Sequence, residues 1–199
     1  RDRPWIAAVL LMAMTQLLLV IPACSVLLPV LVKSTGSATA SYGYVLALGA
    51  VGGLIGAVVA GHVRPRLPGL VANLTVMLFV LEPLMLLLNA PPWALVLGWF
   101  LSSFGLGPFL VYWETALQRD IPPELLARVI SIDWMCSFAL MPLGLALVGP
   151  AVGAFGRTTV LVVAVVAAAV PPLLCLPVPG MLRFRTPTAS SDELAPGRS

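Results

Sequence analysis

At 199 residues, with 60% hydrophobic and 10% charged side chains and a mean hydropathy of +1.04, the chain has too little polar surface to cover a core in water, where a soluble domain carries about 25% charged residues. Its net charge of +3 comes from arginines scattered along the chain, with no basic run of the kind that grips nucleic acid. Cys24, Cys136 and Cys175 lie far apart in apolar runs, which excludes a disulfide framework and a metal site, and no cofactor motif or nucleophile–base pair is present, so no enzyme is expected.

A spanning helix needs about 20 largely apolar residues, and the sequence predicts six: 5–32, interrupted by Pro22 and Pro29, then 42–63, 70–88, 93–113, 129–148 and 159–176, the last with Pro171 and Pro172 near its end. The fold class is thus all-α, a polytopic bundle of six transmembrane helices over 1–182, with a polar, disordered tail over 183–199. Trp5, Trp93 and Trp113 fall at span ends and read as interfacial anchors. In the second span, Gly49 with Gly53 and Gly52 with Gly56 form two overlapping small-xxx-small pairs, a face on which another helix backbone can come close.

Orientation follows from the basic residues, because cytoplasmic loops are enriched in Lys and Arg. If six helices alternate, Arg1, Arg3, Arg64, Arg66, Arg119, Arg128, Arg183, Arg185 and Arg198 fall on one side, leaving only Lys33 and Arg157 opposite. Both ends of the segment are therefore expected in the cytoplasm, with the helices in the cell membrane. The chain opens Arg1-Asp2-Arg3-Pro4 without an initiating Met, from which an upstream part is expected.

Ionisable groups at membrane depth cost about 2.5 to 3.5 kcal/mol on insertion scales and mark functional candidates. Glu82 lies well inside the third span, with Thr75 and Asn89 seven residues away on either side and roughly on its face; it reads as a proton or cation site, or as an acid packed between helices. Glu114 ends the fourth span and shares a face with Ser103, Gly107 and Gln118, and Asp133 begins the fifth with Ser137 one turn on. With Arg119 and Arg128 these acids are gate candidates, or else helix-end charges at headgroup level. Gln16, Ser102 and Ser103 are uncharged polar groups at depth, candidates for the lining of a substrate cavity or for bonding a neighbouring helix. His62, the only histidine, stands where the second span meets its loop.

The run from Glu114 through Leu117-Gln118-Arg119-Asp120-Ile121-Pro122 to Ala127-Arg128-Val129-Ile130-Ser131 resembles the junction between two helices of the major facilitator superfamily, particularly its enterobactin-exporter-like drug and siderophore branch. Met141-Pro142-Leu143-Gly144, continued to Gly149-Pro150 and Ala154-Phe155-Gly156, is similar to a pattern of that family's eleventh helix. Gly61-His62-Val63-Arg64-Pro65-Arg66 departs from the family's loop by lacking its Asp, and Ala127 stands where Gly is usual. The resemblance implies that the six spans are the family's helices seven to twelve, pairing with an N-terminal six-helix half. It also implies alternating access to a small-molecule substrate, with export driven by proton exchange. The alternative from another class is a membrane scaffold or assembly factor that uses the glycine face for a partner.

Overall fold

The computed structural model describes residues 4–34, 39–121 and 123–184, and every regular element among them is helical. The first column is α1 (Pro4–Thr15), a π-helical stretch Gln16–Val20 and α2 (Ile21–Ser34). Proline has no amide hydrogen, so Pro22 leaves the Leu18 carbonyl without its intrahelical donor, and the helix widens over the turn ahead of it. The second column is α3 (Thr39–His62). In the third, α4 (Pro68–Val76) passes through a 3-10 stretch, Met77–Val80, into α5 (Leu81–Leu87); here Pro83 withdraws the donor from the Phe79 carbonyl within that same stretch. Then follow α6 (Pro92–Asp120), α7 (Pro123–Phe155) and α8 (Arg157–Cys175).

Five of these helical segments are long and apolar enough to cross a membrane: Trp5–Lys33, Ser41–His62, Pro68–Leu87, Pro92–Arg119 and Arg157–Cys175. They match five of the six expected spans within a few residues at most ends. The chain is a helical membrane protein. The fourth helix runs beyond its expected end at residue 113 to Asp120, so Glu114 lies within a helix and does not terminate one. The fifth begins at Pro123 and ends at Phe155, longer at both ends than expected, with the shorter apolar stretch Ala139–Phe155 inside it. Between α7 and α8 stands only Gly156, at φ +80°, a left-handed turn that a residue without Cβ makes at no steric cost.

Helix α6 packs against α3 more extensively than any other two elements meet, and its other flank lies on α4 and α5. Small residues permit the α3–α6 approach: a Cβ at Gly52 would stand 2.3 Å from the Phe100 carbonyl oxygen, and one at Gly56 2.2 Å from that of Phe104. From the other side, a Cβ at Gly107 would come within 2.5 Å of the Ala57 amide nitrogen. Thus Gly52 and Gly56 form the closely packed pair of the expected face, while Gly49 and Gly53 have ordinary contacts with Trp99 and Ser103. Helix α7 packs on the first column and α8. Its Gly144 lies against Pro22 and the freed Leu18 carbonyl, where a Cβ would be 2.6 Å from that oxygen. Helices α6 and α7 meet only marginally, and a cavity opens between them.

One end of the bundle closes on an aromatic cluster. The Trp5 and Trp113 rings stand edge to face at 5.8 Å, with Phe184 5.5 Å from Trp5 and 6.3 Å from Trp113, separations at which aromatic pairs attract. All three are buried, so Trp5 and Trp113 are core residues and not interfacial anchors, whereas Trp93 is 71% exposed. Phe184, expected in the tail, is held by the 3-10 turn Met181–Arg183 and accepts a hydrogen bond at its carbonyl from Arg119 Nη2. The rest of the expected tail, 185–199, lies outside the described residues.

Candidate functional site

Between α1, α6 and α7 lies a cavity of about 430 Å³, within the usual range for sites that hold a small molecule. Its wall is mainly aliphatic and aromatic: Val9 and Ala13 from α1, Phe79 from the 3-10 stretch, Phe109 and Trp113 from α6, and Trp134 from α7. Among the described residues three polar side chains interrupt it, Gln16 at the π-helical widening and Glu114 and Gln118 on successive turns of α6. A second hollow of about 320 Å³ lies between α3 and α6, lined by Gly49, Gly53, Ser103, Gly107 and again Glu114. Leu106, Leu110 and Glu114, four residues apart and therefore stacked on one face of α6, border both hollows. The two hollows are thus one concave face bounded by α1, α3, α6 and α7.

Gln16 is only 6% exposed, and its Nε2 has no hydrogen-bond partner among the described residues. A buried amide N–H without an acceptor costs about 1–3 kcal/mol, so its position on the cavity wall is chemically significant. The π-helical stretch displaces Gln16 from regular α-helical register, and such widenings recur at functional sites. Glu114 is exposed into both hollows, and no ion pair joins it to a described residue.

Ser102 and Ser103, adjacent in sequence, part company. Ser103 faces the α3–α6 hollow as expected. Ser102, expected beside it on the cavity wall, lines neither hollow: it is 0% exposed, and its Oγ donates to Glu82 Oε1 at 2.8 Å. Successive helical residues point about 100° apart, which turns Ser102 toward α5 and away from the concave face. Glu82 is 9% exposed and sits between α5 and α6 behind the cavities, so the sequence-derived acid and serine candidates form one buried pair. Neither expected face neighbour bonds it: Thr75 donates to the Ala72 carbonyl at 3.0 Å, and Asn89 occupies the turn after α5 at φ +49°.

The expected gate residues are distributed more widely. Arg119 binds the Phe184 carbonyl, and Arg128 is exposed on the first turns of α7. The Asp133 backbone lies in α7, and its side chain is outside the described residues, as is that of Ser137. The structure therefore brings Glu114 to the cavities with no arginine among the described residues of their walls. At the opposite end, Arg157 Nη2 donates to the Leu86 carbonyl at 2.7 Å, satisfying the C-terminus of α5.

Sequence reasoning missed the cavity's aromatic wall, Phe79, Phe109 and Trp134, because single aromatics in apolar helices carry no signal of which neighbour they face. Among the described residues no cluster of His, Cys, Asp and Glu has the geometry to hold a metal ion. Compared with protein-family models, with curated proteins and with solved structures, the chain matches none.

Proposed function

We propose that this chain is the C-terminal six-helix half of a major facilitator-type transporter, moving a small amphipathic molecule across the cell membrane by alternating access, with both ends of the segment in the cytoplasm. One observation carries the reading. The polar groups Gln16, Ser103, Glu114 and Gln118 gather on a single concave, otherwise apolar face bounded by four helices, while α5 and α8 stand behind it. A face of this kind, set against the matching face of a second six-helix bundle, encloses a midplane site between two rocking halves.

A scaffold that docks partners through its glycines is the weaker reading, because Gly52 and Gly56 are already occupied by the α6 backbone. Proton exchange is assigned to Glu82 and Glu114, one buried behind the face and one on it. Proton-driven export requires a group that loads and unloads a proton as access alternates. Glu82 is the candidate already held by a hydrogen bond that its amide counterpart can keep.

The test is flux of candidate drugs and siderophores into inside-out membrane vesicles carrying the full-length protein, with an imposed pH gradient. Uphill accumulation that collapses with a protonophore is expected, and absence of gradient-dependent flux in any candidate overturns the reading. Glu82→Gln should keep expression and remove the pH dependence; an unaltered pH profile returns Glu82 to a structural role.

A further inference from the structure

We propose that the cavity between α1, α6 and α7 is a binding site for amphipathic organic amines, with the ammonium group held at Glu114 and a hydrogen-bond acceptor on the ligand met by Gln16 Nε2. This rests on the reading of the concave face as the substrate side and names the chemical class that it selects.

Three observations converge. First, Glu114 is the only charged side chain on the described walls of either hollow, and no described cation neutralises it. A carboxylate in an apolar recess attracts a positive ligand and repels an anionic one, and the low surrounding dielectric strengthens both effects. Second, Trp113 and Trp134 stand on the same wall, and indole faces attract ammonium groups. Third, Gln16 borders the cavity, and its buried Nε2 has no partner among the described residues, a donor at the cavity margin that an apolar ligand leaves unsatisfied and that a carbonyl or sulfonyl oxygen satisfies when the amide turns toward it. From Leu106 to Gln118 the cavity follows α6 for about 18 Å at 1.5 Å per residue, so Glu114 and Gln118 sit toward one end and an aliphatic stem lies along Leu106 and Leu110.

The class is tested with three fluorescent probes that share a dansyl sulfonamide as acceptor and fluorophore. One carries a five-carbon chain ending in a primary amine, the second the same chain ending in methyl, and the third a chain ending in carboxylate. Binding to the full chain in lipid nanodiscs is read from dansyl fluorescence, against empty nanodiscs.

The amine should bind about tenfold more tightly than the methyl probe, and the carboxylate probe least of all. Glu114→Gln should reduce amine binding to the level of the methyl probe and leave methyl-probe binding unchanged, which also shows that the variant folds. Gln16→Leu should weaken the amine and methyl probes alike, by about fivefold. Equal binding of all three probes to the unaltered chain overturns the proposal without any variant, as does undiminished amine selectivity in Glu114→Gln. Amine-selective binding in a protein that shows no vesicle flux keeps this site and rejects transport, whereas flux with no charge selectivity does the reverse.

Discussion

The two sides of α6 teach opposite lessons. Along the Gly52–Gly56 seam of α3 and toward α4 and α5 the helix is closed: Gly52 and Gly56 admit the Phe100 and Phe104 carbonyls, and Ser102 donates to Glu82. On its other side it is open: Leu106, Leu110 and Glu114 border both the hollow toward α1 and α7 and the hollow beside Gly49 and Gly53 of α3. In hydrocarbon there is little hydrophobic gain from pressing helices together, so close approach is achieved by small residues and hydrogen bonds. On the closed side Ser102 and Glu82 bond each other, and on the open side Gln16 Nε2 has no partner among the described residues.

The contrast can be broken by substitution, with unfolding in detergent followed by circular dichroism as the measurement. The largest loss is expected from Phe184→Ala, about 3 kcal/mol, since it removes the ring that closes the Trp5–Trp113 cluster. Stability within 0.5 kcal/mol of the parent, a surface-like effect, would show that the cluster is not part of the fold's base. Gly56→Leu should cost about 2–3 kcal/mol by forcing α3 away from the Phe104 carbonyl. Gly61→Leu, where nothing lies within 4 Å of the added Cβ, should be close to neutral; equal losses at the two positions would deny the close seam.

A finer comparison uses the adjacent serines. Ser102→Ala should destabilise by about 1–2 kcal/mol because it strips the Glu82 carboxyl of its donor, and Glu82→Gln should restore most of that loss in the double variant. Ser103→Ala should change stability by less than about 0.5 kcal/mol, with its effect confined to flux. If the two alanine variants were indistinguishable in stability, the division of α6 into a closed and an open side would be wrong. The smallest effect is expected for Glu114→Gln, within about 0.5 kcal/mol in stability, together with slower substrate flux; unchanged flux would remove Glu114 from the transport path.

How far the sequence is legible follows from which interactions are local. Span positions are local sums of hydropathy, so five helices fall near their expected ranges; glycine spacing marks two overlapping pairs equally, and only Gly52 and Gly56 are closely packed. The α7 start was misplaced because Pro123 suits a first helical turn and the helix began there, six residues ahead of the apolar run. Site residues were legible as types and not as partners: Glu82 and Ser102 each stood out as polar groups at depth, but their 20-residue separation gives no sign that they bond.

By itself the sequence determined that this protein lives in hydrocarbon, that it crosses by helices, and which polar side chains must be explained there, because each of these depends on the free energy of transferring residues from water. Only the tertiary structure decided that Ser102 turns inward while Ser103 faces the hollow, that Trp5 is core while Trp93 is exposed, and that Gln16 and Glu114 share one cavity. The rotation of each helix about its own axis is fixed by contacts between segments far apart in the chain, and a linear pattern of apolar residues in a membrane, where nearly every face is apolar, does not encode it.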